Sequence, residues 1–484
     1  MEMRMGIFRF FTLLLLLSML LVPNVFGGGF AYEGIGVKAT GMGGAFRAVA
    51  DDWSAAYYNP AGYARITDNI LSGNLASFHN RYWIKSNILW DGEYETGFYN
   101  GLDVPNNHAI LNVPQGGAVA RFPIWGEMVM GFSIIQLFDQ NQKWRLYDNM
   151  PAYSAAAFPG AQFYNNLDVV SFQFTGAREF MDGKLAIGLG LGALRGDLIY
   201  NNLVLRDNGM GSPLSDRPFD KIPEWYRANG NGWGFGYRAG LLYKVTDKLD
   251  AALTYVGKSS ITIKGDVDFM FYFPDNFYAP VYTPTSEEYL YANGEVVDLT
   301  SKFETKLDLP ASIGGGLAYR VNDKLTLAAD VEFVMWSTFE GLEFAFSNFH
   351  GMKDTSFHYT NDTLFKVDMS VPIEWDDAMR FMVGANYKYK FLETRAGFAY
   401  DQSPVSETTQ IPQFIDLGDK YTYSFGLGFE IKQWHLDFST SYTKQPDLTI
   451  STMSDINNDG LMDNLMGDYR GNNYQTVLGI SYRF

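Results

Sequence analysis

The sequence predicts an all-β protein, a transmembrane antiparallel β-barrel of about 14 strands. Three observations carry this. Period-2 alternation of apolar with small or polar residues recurs from about residue 65 to the C-terminus. Very short turns alternate with long polar loops along that stretch, as in a barrel with one rim in the periplasm and one outside. Aromatics reach 16% of the chain, and Tyr and Trp gather in girdles at membrane–water interfaces.

Residues 1–27 read as a cleaved signal peptide. Arg4 and Arg9 give a positive start, Phe10 to Val22 an apolar run, and Pro23-Asn24 a break before Val25-Phe26-Gly27. The run is shorter than the ~20 apolar residues of a membrane helix, and cleavage is expected near Gly27. Residues 28–65 do not read as wall strands. They hold the small-residue run Gly41-Met42-Gly43-Gly44-Ala45, the acidic pair Asp51-Asp52 and an Asn59-Pro60-Ala61 turn.

Residues 66–484 read as the barrel. Tyr421, Tyr423, Phe425, Leu427, Phe429 and Ile431 fall on one face of a strand, opposite Thr422, Ser424, Gly426, Gly428 and Glu430. From Trp233 the same split sets Phe235, Tyr237 and Leu241 against Gly234, Gly236, Arg238 and Gly240. A soluble sandwich would alternate too, but its outer faces would be charged. Here the second face is small and polar, which suits a filled lumen. Turns at Asp182-Gly183, Thr246-Asp247, Asn322-Asp323 and Lys432-Gln433 alternate with loops near 139–166, 200–231, 271–308, 347–378, 405–420 and 446–473. The last strand ends Leu478, Ile480, Tyr482, Phe484 on one face, and its terminal aromatic resembles the sorting signal read by the barrel-assembly machinery.

Composition excludes several functions. A formal charge of −17 argues against a nucleic-acid surface. The absence of Cys removes disulfides, thiolate metal sites and Cys nucleophiles. The five His stand in no metal-ligand spacing and no nucleophile or phosphate-loop motif is present, so no enzyme is expected.

The segment Gly41–Phe46, Ala50-Asp51-Asp52 and Tyr57-Tyr58-Asn59-Pro60-Ala61-Gly62 resembles the N-terminal hatch of the FadL (OmpP1, TodX) family, transporters of long-chain fatty acids and aromatic hydrocarbons. The likeness continues through Leu309-Pro310-Ala311-Ser312, Trp336-Ser337, Trp375-Asp376-Asp377, Arg395-Ala396-Gly397-Phe398 and Ile411-Pro412, in the family's order. The resemblance implies a monomeric 14-stranded barrel in the outer membrane, surrounded by its lipid and plugged by a hatch over residues 28–65. External loops would capture an apolar ligand, and hatch movement would release it sideways through a gap in the wall. The resemblance also implies an alternative, since some relatives are surface partners in protein secretion.

Candidate site residues fall in the hatch, the loops and the lumen. Asn59, Pro60 and Ala61, with Asp51 and Asp52, are the hatch candidates, as a moving gate or a static plug. Loops 200–231 and 271–308 correspond to the family's capturing loops and offer Trp225, Tyr226, Phe273, Phe277 and Tyr278, as a groove or as loop-on-loop packing. Lumen parity places Arg380 and Arg395 inside, either paired with carboxylates or receiving a ligand's carboxylate. No cofactor is expected, with one exception. Asp455, Asn457, Asp459, Leu461 and Asp463, around Gly460, have the spacing of a Ca²⁺ loop, although position 12 is Met466 and not a bidentate Glu. An Asx-rich turn without metal is the other reading.

Overall fold

The chain winds into one closed antiparallel wall. The computed structural model describes residues 34–87, 89–90, 94–95, 101–107, 110–123, 127–147, 158–284, 286–350, 369–459 and 461–484. The expected signal peptide, the start of the hatch segment, Gly460 and parts of loops 139–166 and 347–378 lie outside them.

Fourteen wall strands run in chain order: β1 (Ile70–Ser86), β2 (Asp103–Pro105 and Ile110–Phe122), β3 (Met128–Trp144), β4 (Phe163–Phe180), β5 (Leu185–Asp207), β6 (Lys221–Thr246), β7 (Leu249–Val256 and Ser259–Tyr272), β8 (Val296–Leu309 and Ser312–Arg320), β9 (Leu325–Val334 and Gly341–His350), β10 (Met369–Pro372 and Ala378–Tyr389), β11 (Leu392–Asp401), β12 (Lys420–Ile431), β13 (Trp434–Lys444 and Leu448–Ile450) and β14 (Gly467–Arg483). Each pairs with its chain neighbour, and β14 closes on β1 from Ile70↔Arg483 to Ser86↔Gly467. Closure removes the free edges that hydrocarbon would leave unsatisfied.

The alternation sorts as expected. Phe174, Leu189, Trp233, Phe235, Tyr423, Phe425 and Leu478 are exposed on the outer face, where lipid covers them. Gln173, Asp330, Thr422 and Ser439 on the opposite parity are buried in the lumen.

The loops are shorter than the sequence suggests. Strand β5 runs to Asp207 and β6 starts at Lys221, so the loop expected at 200–231 is 208–220, and the one expected at 271–308 shrinks to 273–295. The 26-residue β6 far exceeds the ~9–11 residues of a membrane-crossing strand. Its surplus forms a rim beyond the hydrocarbon, where polar strand residues read as loop.

Four adjacent strands break at one height. The interruptions at 257–258 in β7, 310–311 in β8, 335–340 in β9 and 373–377 in β10 lie side by side, since Val256 faces Ser312, Ser259 faces Leu309, Val334 faces Ala378 and Gly341 faces Pro372. Pro310 and Pro372 lack the N–H that would continue the ladder. The break residues Trp336, Phe339 and Trp375 are buried.

Candidate functional site

The lumen is filled by residues 34–66. Here α1 (Val37–Gly41), α2 (Ala55–Tyr58) and a 3-10 turn (Pro60–Arg65) pack inside the wall. Asn59 organises the turn. Its Oδ1 accepts from the Ala61 amide (3.1 Å), and its Nδ2 donates to Arg47 O (2.9 Å) and to Leu241 O of the wall (3.2 Å). Pro at the first helical position needs no amide partner.

The wall receives this turn at glycines. A Cβ on Gly240 would lie 2.0 Å from Asn59 Oδ1, and one on Gly188 would lie 2.2 Å from the Pro60 carbonyl carbon. On the far side a Cβ on Gly397 would lie 2.1 Å from Gly43 N, which has φ +65°. Gly188 and Gly397 accept hatch backbone, and Gly240 the Asn59 side chain, where side chains would otherwise stand.

Charge pins the same segment. Asp330 accepts from the Phe46 and Arg47 amides at 2.9 and 2.8 Å, and the Arg47 guanidinium reaches Glu332 at 2.6 Å. Arg395, fully buried, pairs with Glu393 (2.7 Å) and Asp437 (2.5 Å), and Arg380 pairs with Asp401. Neither arginine lies among the described lining residues of the outer cavity. Both arginines thus stand in carboxylate pairs. Arg195, whose parity points to lipid, lies on the outer face beside Asp197 and Trp233.

The acidic pair divides. Asp51 is exposed and bridges to Lys38 at 2.7 Å. Asp52 accepts from Ser54 N and Oγ (2.8 and 2.6 Å), and burial, followed by the Asp51 charge, pushes its carboxyl up to about 6.

The loop aromatics also divide. Trp225, Tyr226 and Phe273 are buried, with Trp225 Nε1 donating to Ala161 O (3.1 Å) and Phe273 meeting Tyr291 edge-on at 5.0 Å. Phe277 and Tyr278 stand 74% and 73% exposed, resting on the buried Phe219. The two loops therefore pack together and still leave an apolar platform outside.

Beneath the rim lies a cavity of about 230 Å³. Its lining includes Tyr200, Arg206, Tyr226, Met369, Ile411 and part of the 455–463 loop. In that loop Asp455 and Asn457 oxygens accept from the Asp459 amide, Asp459 from Leu461 and Asp463 from Ile456. The oxygens thus turn onto the chain's own amides, and among the described residues no three acidic or His side chains converge as metal ligands.

A column of aromatic rings leads down from the cavity. Tyr226 is 6.1 Å from Tyr200, Tyr200 is 6.3 Å from Phe414, and Phe414 is 6.2 Å from Phe339. Phe339 is 5.4 Å from Trp375, Trp375 is 5.1 Å from Trp336, and Trp336 is 6.2 Å from Phe138. Phe414 comes from the segment joining β11 and β12, held across the mouth by Trp144 Nε1 donating to Pro412 O (2.9 Å) and by Gln413 Nε2 donating to Asn201 O (2.9 Å).

The column ends at a discontinuity in the wall. Pairing of β2 with β3 stops at Gly116↔Ile134, while β3 continues along β4 to Trp144↔Phe163 with Leu137 as an extra residue. The Gln115 side chain bridges the opening: its Oε1 accepts from Gln136 N and its Nε2 donates to Gly34 O, both at 3.2 Å. The hatch thus touches the wall at the gap.

Sequence reasoning missed Phe138, Tyr200, Phe339 and Phe414 as site residues and used Trp336 and Trp375 only as motif members. Buried aromatics at strand breaks are the signal that could have found them.

A family model described as outer membrane protein transport protein (OMPP1/FadL/TodX) matches residues 20–484. Outer membrane protein P1 of Haemophilus influenzae is 23% identical over 448 residues, covering 83% of this chain and 84% of its own. A long-chain fatty acid transport protein of Escherichia coli is 29% identical over 220 residues, covering 44% and 42%. A putative outer membrane protein of Neisseria meningitidis is 25% identical over 257 residues, covering 53% and 51%. The chain spans about half the length of these last two relatives. A FadL homologue of Pseudomonas aeruginosa superposes with TM-score 0.72 at 20% identity, covering 94% of this chain and all of that one. The Pseudomonas putida toluene transporter TodX gives 0.66 at 17%, covering 93% and 99%.

Proposed function

Since this chain belongs to the outer membrane transport family (OMPP1/FadL/TodX) and so resides in the outer membrane, we propose that it passes hydrophobic small molecules inward and releases them sideways. The exposed Phe277–Tyr278 platform captures the ligand, the cavity beneath holds it, and the aromatic column leads it to the gap between β2 and β3. The observation that carries this reading is the unbroken run of buried rings from Tyr226 to Phe138.

Lateral exit follows from burial energetics. A ligand with about 200 Å² of apolar surface would lose about 5 kcal/mol on entering periplasmic water, at about 25 cal/mol per Å². Exit into lipid keeps that surface buried. The Gln115 bridge between Gly34 and Gln136 supports a hatch that shifts as the gap opens.

Deletion of Leu137 tests this. Removing the extra residue lets β3 keep its register with β4 past the bulge, so it can zip onto β2 and close the gap. Uptake of a labelled apolar probe into proteoliposomes should fall to background while binding outside persists. Unchanged uptake through a wall shown to be closed by hydrogen exchange along β2 would refute lateral release.

A further inference from the structure

The charge pattern of the outer cavity bears on ligand class, and so refines the transport reading and rests on it. Among the described lining residues Asp459 and Asp463 supply carboxylates, Asn202 and Asn457 amides and Ser370 a hydroxyl, while Arg206 is the single cation. Arg206 is already paired with Glu224, itself buried. Deeper in the lumen Arg47, Arg380 and Arg395 are paired with wall carboxylates.

Tyr200 supplies the second observation. It lines the cavity, is wholly buried, and its hydroxyl has no hydrogen-bond partner among the described residues. Buried hydroxyls in folded proteins are normally satisfied, so an unmet one beside a cavity marks a place for a ligand's polar atom.

We infer that this cavity selects uncharged apolar molecules, with any polar end being a hydroxyl that meets Tyr200 and the Asp459–Asp463 side, over fatty-acid anions. A neutral alcohol both accepts from the Tyr200 hydroxyl and donates to a carboxylate. A fatty-acid carboxylate would face two like charges, with the charge of the one lining guanidinium balanced by Glu224.

The test compares 1-dodecanol, dodecanoate and dodecane, which share a chain and differ at one end. Binding to the full chain in lipid nanodiscs is read by tryptophan fluorescence at pH 8 with a chelator present, against empty nanodiscs. Dodecanol should bind at least about tenfold more tightly than dodecanoate. The double change Asp459→Asn with Asp463→Asn, which keeps the side-chain oxygens that accept backbone amides, should tighten dodecanoate and so narrow its gap to dodecanol. Tyr200→Phe should weaken dodecanol severalfold relative to dodecane. Dodecanoate binding as tightly as dodecanol, or unmoved by the double change, would overturn the selectivity. Binding of none of the three would remove the transport reading itself.

Discussion

Replacing Asn59 by Ala should loosen the hatch without harming the barrel. The side chain makes three hydrogen bonds, to Ala61 N, Arg47 O and Leu241 O. At about 0.5–1.5 kcal/mol each, their loss destabilises hatch seating by about 2–4 kcal/mol. At 1.4 kcal/mol per decade, the open population should rise about 30- to 700-fold. Hydrogen exchange reads this directly, because amides protected only by a local opening exchange in proportion to it. Amides between residues 46 and 62 should speed up by that factor, while those of β5 and β6 stay protected. Equal protection in the variant and the parent would mean that the glycine seats and the Arg47 cluster hold the hatch unaided. Loss of protection in β5 and β6 as well would mean that the hatch is part of one cooperative unit with the wall, and the reasoning from separate hydrogen bonds would fail.

Three further outcomes are expected. Leu427→Arg, mid-wall on the lipid face, should cost about 2–4 kcal/mol in refolding into bilayers, whereas Ser424→Thr, beside a small lumen cavity, should stay within about 0.5 kcal/mol. Similar costs would contradict the face assignment. Deleting Phe484, whose amide donates to Asn69 O (3.1 Å) and whose ring stacks on Tyr482, should leave unfolded protein in the periplasm, and a normal heat-modifiable barrel would count against it. Asp52 has a raised folded-state value, so the seated hatch holds its proton more tightly than the free segment does. Seating should therefore be firmest below the usual Asp value near 3.8 and weaken as pH rises to about 6. Asp52→Asn should abolish that trend in hatch protection, and a trend that survives would assign it to another group.

The sequence makes the barrel legible because membrane physics leaves few choices. A strand facing lipid and lumen must alternate, and the run at 421–431 does so without interruption. Tyr200 is harder to place, because rim strands beyond the hydrocarbon lose that contrast. The hatch segment stands out by lacking alternation, but its seat does not. Gly188 and Gly240 are ordinary lumen glycines until the fold brings them under Pro60 and Asn59. Parity alone makes Gly428→Ser a mild change, yet a Cβ there would lie 2.7 Å from Arg395 Nη2. The column and the gap are least visible. Both depend on where separate strands break or bulge, and Leu137 looks like any other residue of β3.

The glycine seats bear on the order in which the molecule is built. They lie on β5, β6 and β11, on opposite sides of the lumen, and each is moulded to a residue that precedes every wall strand in the sequence. A finished cylinder offers little room to thread such a segment in afterwards, with Arg47 and Asn59 already committed to partners on the wall. The last seam, β14 against β1, is therefore expected to be stitched around a plug already lying in place, much as staves are drawn up around a former. Insertion machinery holding that seam open would be handling a half-built cylinder that carries its own mandrel.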